Sequence, residues 1–221
     1  MARIAAILLA AGSSSRFKAA GGGEASKLVA ALAGRPLVRH AAEAALGSTA
    51  RPIVVVTGHD GQAVEAALDG LSLQFAHNAG YREGLASSLK TGIAALPGDA
   101  AGALVLLGDM PAVTPALIDR LIAAFAEEPD AMAAAPSFEG RRGNPVLLSR
   151  SLFPAIAALE GDEGARKLLA DAAPGQVIAL DASGPGATLD VDTPQALAEA
   201  RRALEKKAAP PPSIDDGDAR L

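Results

Sequence analysis

The chain has no cysteine and no tryptophan, and only one tyrosine and five phenylalanines in 221 residues. Without thiols there is no thiolate metal centre, no disulfide framework and no cysteine nucleophile. With aromatics at 3%, the core must be built from Val, Leu, Ile and abundant Ala. Positive charge is not in excess: 20 Lys and Arg against 25 Asp and Glu give a formal charge of −5. That is the reverse of a nucleic-acid binder's basic face, so no nucleic-acid partner is expected. No apolar run reaches the roughly 18 residues of a membrane helix, so no membrane partner is expected either. Ile4 to Ala11 is apolar, but only Arg3 precedes it as a charge and a Gly-Ser loop follows. It reads as a buried first strand rather than a secretory signal, and the expected location is cytoplasmic. Two phosphate motifs are also missing. Lys27 lies between Ser26 and Leu28, unlike the lysine of a Walker A loop, and Ser14 stands where the dinucleotide fingerprint begun by Gly12 needs its second glycine.

What is present is an alternation of short apolar runs and helical patterns. Strands are expected at Ile4 to Ala10, Ile53 to Val56, Leu71 to Ala76, Ala103 to Leu107, Ala131 to Ala135, Val146 to Leu148 and Val177 to Leu180. Helices are expected at Pro36 to Leu46, Gln62 to Leu68, around Leu85 to Leu96, after Thr114-Pro115, at Ser151 to Leu159 and Glu163 to Ala172, and after Thr193-Pro194. Such alternation predicts an α/β fold: a doubly wound, mostly parallel sheet flanked by helices, in a single domain over residues 1–207. Residues 208–221, with Pro210-Pro211-Pro212 and Asp215, Asp216 and Asp218, have the composition of a flexible tail.

In such a sheet ligands sit beyond the C-terminal ends of the strands, so the loops that follow strands carry the chemistry. The first, Ala10 to Lys27, holds Gly12, Ser13 to Ser15, Arg16, Lys18, Gly21 to Gly23 and Lys27. Glycines expose backbone N–H groups that cradle phosphate, and Arg and Lys neutralise it; a solvated surface loop has the same look. The second, Leu107-Gly108-Asp109-Met110-Pro111, sets an aspartate at a strand end, suited to Mg²⁺ or to capping its own turn. The third, Asp190-Val191-Asp192-Thr193-Pro194, directs two carboxylates to one side if extended. Beside Asp109 they make a shared metal site, unless Asp192 merely helps Thr193 start a helix. His40, His59 and His77 lack metal-ligand spacing and read as surface or structural residues. Tyr81 reads equally as nucleotide packing or loop anchor.

Together these segments resemble the MobA/MocA-like nucleotidyltransferases. The resemblance rests on Leu9-Ala10-Ala11-Gly12-Ser13-Ser14-Ser15-Arg16-Phe17 with Lys27-Leu28, on Gly108-Asp109-Met110-Pro111, and on Asp190-Val191-Asp192-Thr193-Pro194. Asn78 to Leu89, Arg142 to Val146 and Gly161 to Arg166 are similar to the molybdenum cofactor cytidylyltransferase branch, as is Ala10-Ala11-Gly12. The chain departs from the pattern at Lys18, where glycine is usual, in the long stretch Ala19 to Ser26, and at Asn144, where histidine is common. The resemblance implies transfer of CMP from CTP to the phosphate of molybdenum-molybdopterin, with Mg²⁺ as cofactor. It also implies hand-off of the product to a molybdenum hydroxylase or its chaperone. By the same resemblance Arg16, Lys27 and Asp109 are catalytic and Asp109 and Asp192 bind metal. Leu9, Ala10, Ala11, Gly12, Ser13, Arg16, Lys27, Asn78, Gly84, Ser87, Ser88 and Asp109 bind nucleotide, while Asn144, Asp162 and Arg166 bind the acceptor. Asp162 has a second reading as a helix cap, and Lys18 is expected to point to solvent or to touch phosphate only peripherally. Alternatives are another phosphorylated acceptor, a MocA-like oxidoreductase acting on a small heteroaromatic substrate, and a nucleotide-binding regulator or chaperone without turnover.

Overall fold

The computed structural model describes residues 3–23, 25–170, 172–173, 175–182 and 189–208. Its strands are β1 (Ile4–Ala10), β2 (Ala31–Leu32), β3 (Arg35–Pro36), β4 (Ile53–Thr57), β5 (Gln74–His77), β6 (Gly102–Leu107), β7 (Ala133–Phe138), β8 (Arg141–Arg142), β9 (Val146–Ser149) and β10 (Val177–Asp181). Its helices are α1 (Ser15–Ala19), α2 (Leu37–Leu46), α3 (Gly61–Ala67), α4 (Leu85–Ala94), α5 (Pro115–Glu127), α6 (Phe153–Ala157), α7 (Ala165–Leu168) and α8 (Pro194–Ala208).

One eight-stranded sheet runs β10-β7-β9-β6-β1-β4-β5, with β8 folded back on β7. β4 and β6 flank β1 in parallel, β5 follows β4 in parallel, and β10 lies parallel to β7. Only β8 and β9 are reversed against their neighbours. The sheet is therefore mostly parallel and doubly wound, as expected.

The central strands are apolar at every position but Thr57, because both faces are covered. Side chains alternate across β1: Ala6, Leu8 and Ala10 join Val38, Ala41, Val64, Ile118 and Leu121 of α2, α3 and α5. Ile7 and Leu9 join Ala86 and Leu89 of α4 and Ile156 of α6 on the opposite face. The chain leaves β1 for β4 and β5 on one side, then returns to β6 on the other. That reversal opens a crevice beyond the C-terminal ends of β1 and β6, the usual ligand position of an open α/β sheet. A third cluster, Leu32, Leu37, Val191 and Ala200, fastens α8 and the segment before it to the β2–β3 hairpin.

Both Thr-Pro starts form as expected. Thr114 Oγ1 accepts from Leu117 N at 3.2 Å, and Thr193 Oγ1 accepts from Ala196 N at 3.1 Å. Several local expectations need correction. The strand expected at Leu71 to Ala76 begins only at Gln74 and runs to His77. The first loop contains the one-turn helix α1 and a 3₁₀ turn over Lys27–Val29. Pro36 closes a short hairpin and precedes α2 rather than opening it. Ser151 to Leu159 divides into a 3₁₀ turn, Arg150–Leu152, and α6, and the helix expected from Glu163 to Ala172 is the single turn α7. α8 reaches Ala208, the first residue assigned to the tail, and the rest of that tail lies outside the described residues. Among the described residues no helix is long and apolar enough to cross a membrane.

Candidate functional site

A cleft of about 870 Å³ opens at the crevice between β1 and β6. Each charged group in it arrives through a specific local device. β6 is followed by Gly108, whose N–H donates to Leu9 O at 3.0 Å. A Cβ there would lie 3.2 Å from Leu9 O and 3.3 Å from Leu28 and Val38, so glycine lets the strand end press against β1 and deliver Asp109 to the cleft floor. Val191 is fully buried and its N–H donates to Asp109 O at 3.0 Å. Burial of that one residue leaves its neighbours Asp190 and Asp192 on the cleft wall. Lys27 is held by Ser14, whose hydroxyl accepts the Lys27 N–H at 3.0 Å and lies 3.3 Å from Ser26 Oγ.

The charges converge. Lys27 Nζ donates to Asp109 Oδ2 at 2.7 Å and to Asp192 Oδ1 at 2.6 Å. The Arg16 guanidinium donates to Asp192 Oδ2. Burial alone would push the Lys27 ammonium down, but Asp109, then Asp192, outweigh it and hold it above the ordinary lysine value. Burial likewise disfavours the Asp192 carboxylate, yet Lys27 and Arg16 bring it below the usual carboxylate range. Asp192 is thus engaged by two cations and does not serve merely as a helix cap, a role Thr193 fills. The other oxygen of Asp109, Oδ1, is buried without a hydrogen-bond partner.

The opposite end of the cleft is built differently. His59 follows β4, with its N–H donating to Ala11 O at 3.2 Å. Its ring lies 5.8 Å from that of Tyr81, and the Arg82 guanidinium lies over Tyr81 at 5.5 Å. Lys18 does not point to solvent: its Nζ lies 2.9 Å from His59 Nε2. Asn78 is buried, and its amide bonds Ser87 Oγ at 2.9 Å and Ser88 Oγ at 3.0 Å while accepting from Gly80 N at 3.0 Å. That spends its polar groups on the turn before α4. Gly84 begins α4 at φ +100°, and a Cβ there would lie 2.3 Å from Gly161 C and O. This backbone contact, with Ala86 N donating to Gly161 O at 3.0 Å, brings Asp162 and the exposed Leu85 onto the wall.

The cleft therefore gathers Leu9 from the end of β1 and Ala11, Gly12, Ser13, Arg16 and Lys27 from the first loop, with Asp109, Asp192, Gly84, Ser88 and Asp162 from distant segments. It does not gather Ala10, which is buried beneath it, nor Asn78 and Ser87, which support its wall. Asn144 is not on its wall. Arg166 lies in α7, and its side chain is outside the described residues. Asp162 does not cap α7, whose first cap position is Gly164. The residue missed by sequence reasoning is His59. Its one sequence signal was position, directly after a buried strand.

Among the described residues no three carboxylates or histidines converge on one point. The pair Asp109 and Asp192, with the unsatisfied Asp109 Oδ1, nevertheless suits an ion that takes one or two carboxylates and completes its shell with water and substrate phosphates, as Mg²⁺ does. The arrangement can hold a polyphosphate between backbone N–H groups, Arg16 and Lys27, with a divalent cation on the acidic side.

Residues 6–177 match the family described as MobA-like NTP transferase domain. The chain is 32% identical over 200 residues to nicotine blue oxidoreductase of Paenarthrobacter nicotinovorans, covering 86% of this chain and 92% of that protein. A nucleotidyl transferase of Methanothermobacter shares the fold, with a TM-score of 0.78 and 24% identity over 93% of this chain and 99% of its own. Rv0371c of Mycobacterium tuberculosis H37Rv, in complex with manganese, superposes with a TM-score of 0.71 and 25% identity over 91% of this chain and 99% of its own.

Proposed function

The chain belongs to the MobA-like NTP transferase family, and on that premise we propose that it transfers CMP from CTP to the terminal phosphate of a molybdopterin-type acceptor, releasing pyrophosphate. The observation that carries nucleotidyl transfer is the bridge of Lys27 between Asp109 and Asp192, beside the orphaned Asp109 Oδ1. Paired cations and carboxylates at one strand-end crevice suit a metal–triphosphate complex, with each charge exchanging an internal partner for a substrate one. The choice of acceptor rests on the likeness of the segments at Asn78 to Leu89, Arg142 to Val146 and Gly161 to Arg166 to the cytidylyltransferase branch.

Asp109 and Asp192 would hold Mg²⁺, which supplies charge neutralisation across the triphosphate. Arg16 releases Asp192 and turns to the β- and γ-phosphates, which the backbone of Gly12 to Ser15 also cradles. Lys27 releases the carboxylates and stabilises the charge that builds on the α-phosphate oxygens. The acceptor phosphate needs no protein base, because its second pKa of about 6 leaves it largely ionised near neutral pH. Its oxygen bonds to the α-phosphorus in line as the bond to pyrophosphate breaks, so catalysis is positioning and charge neutralisation. Asp162 and Leu85 stand where the acceptor would lie. Residues 1–207 form the catalytic unit in this reading. The product passes to a molybdenum hydroxylase or its chaperone in the cytoplasm.

The relationship to nicotine blue oxidoreductase supports a second reading, reduction of a small heteroaromatic compound. The first turn lacks the glycine pattern of a dinucleotide site, which weighs against it. CTP labelled at the α-phosphate separates the readings. Label recovered on the acceptor, with no oxidation of a nicotinamide nucleotide, supports transfer; unlabelled acceptor together with nicotinamide oxidation supports reduction.

A further inference from the structure

The two ends of the cleft differ in how their cations are used. At the acidic end Arg16 and Lys27 are both ion-paired. At the other end Lys18 and Arg82 have no carboxylate partner among the described residues, and Lys18 is instead spent on an imidazole. An ammonium has donors and no acceptor, so this bond requires the lone pair of His59 Nε2. In that bond Nε2 accepts and the ring proton is carried on Nδ1. The groups facing the ring are Lys18 from α1, Asp60 from its own turn, with Oδ2 3.3 Å from Nε2, and Tyr81 and Arg82 from the turn before α4.

The ring is also fixed in place. Gly58, the residue before it, has no room for a side chain, because a Cβ would lie 2.7 Å from Tyr81 Cβ and 2.8 Å from Ala11 Cβ. That close approach locks β4, the first loop and the Tyr81 turn together, leaving the imidazole and the phenol tilted by 48° on one wall. The phosphates have their counter-charges at the far end. What this end offers is a pair of polarisable rings, of the size of a heterocycle, with Lys18 and Arg82 set against their edges and faces.

We propose that His59 is the base-side contact of the nucleotide and that Lys18 is its positioning residue, acting by fixing the orientation of the imidazole. The inference rests on the nucleotidyl-transfer reading and names the part of the site that receives the planar ring. Since α1 presents Arg16 toward Asp192 and Lys18 toward His59, one turn of helix serves both ends of the cleft.

The chain has three histidines, so proton NMR can follow each ring separately. CTP with Mg²⁺ should shift the His59 resonances of the unmodified protein and leave those of His40 in place. His59→Phe, which keeps a ring, should retain CTP affinity within about threefold. His59→Ala should raise KM for CTP at least about tenfold with kcat little changed. Lys18→Met, which frees the ring to turn, should raise KM for CTP about threefold or more with kcat little changed, and should weaken the CTP-induced shift of His59. An unchanged KM and His59 shift in Lys18→Met, or His59 resonances that ignore CTP while Arg16 resonances respond, overturns the proposal. If no resonance responds to any NTP, the nucleotidyl-transfer reading fails instead, and the ring-contact role with it.

Discussion

Replacing Lys27 by methionine removes one cation and keeps the length of the side chain. In the nucleotide-free protein two carboxylates then face one another across the space left by the ammonium, and Asp109 has lost its one side-chain partner among the described residues. Lys27 and Asp109 are largely buried, at 12% and 18% side-chain exposure, while Asp192 is more open at 32% and keeps Arg16. Breaking a fully buried pair costs 3–5 kcal/mol and an exposed one under 1, so an intermediate loss of about 2 kcal/mol is expected. For a chain of this length that lowers Tm by about 4–8 °C. The same change frees both carboxylates for a cation. Mg²⁺ or Mn²⁺ alone should then raise the variant's Tm, by up to about 2.7 kcal/mol of binding energy at 100 times the dissociation constant. The unmodified protein, whose own ammonium neutralises the pair, should respond weakly until nucleotide is added. Turnover should fall by 10²–10³-fold, the range for loss of one preorganised donor. Thermal melts of both proteins with metal, nucleotide, both and neither decide the matter. A variant that melts like the parent and ignores metal refutes the reasoning.

Asp109→Asn should cut turnover at least about 10²-fold at saturating Mg²⁺, because a metal-directed carboxylate is lost; steady-state kinetics measure it. Gly84→Ala should destabilise by at least about 2 kcal/mol in urea melts, since its φ of +100° strains any side chain and the added methyl carbon would run into the Gly161 backbone. The contribution of Asp192, whose pKa is lowered on folding, is complete above its ordinary value of 3.8 and lost as pH falls through its folded value. That of Lys27, whose pKa is raised, is complete below 10.5 and lost as pH rises through its folded value. The stability contributed by this pair without nucleotide should therefore be flat between these limits, and Asp192→Asn should shrink the acid limb of a pH-resolved denaturation series.

The parallel sheet was legible because its central strands are buried on both faces and leave uninterrupted apolar runs such as Ile4 to Ala10 and Ile53 to Val56. The Thr-Pro helix starts were legible because their chemistry is local. The acidic end of the site could be read as well, since Asp109 follows a buried strand and Asp192 follows the buried Val191. What the sequence hid were tertiary arrangements. Nothing local says that Val191 will be pinned to Asp109 O, and that contact is what brings Asp192 to Lys27. Asn78 reads as a ligand contact until its amide is seen bonded to Ser87 and Ser88. The short helix α1 was masked by the glycines and serines around it, and with it the turn that separates Arg16 from Lys18. Asn144 has the polarity of a site residue but sits away from the cleft wall.

The most direct test of the account is pyrophosphate release from each of the four NTPs with Mg²⁺, with and without molybdopterin. Release from CTP that depends on both metal and molybdopterin, and that is abolished in Asp109→Asn, is the predicted result. Absence of release from every NTP in the presence of the acceptor, with the protein folded and metal supplied, would contradict it.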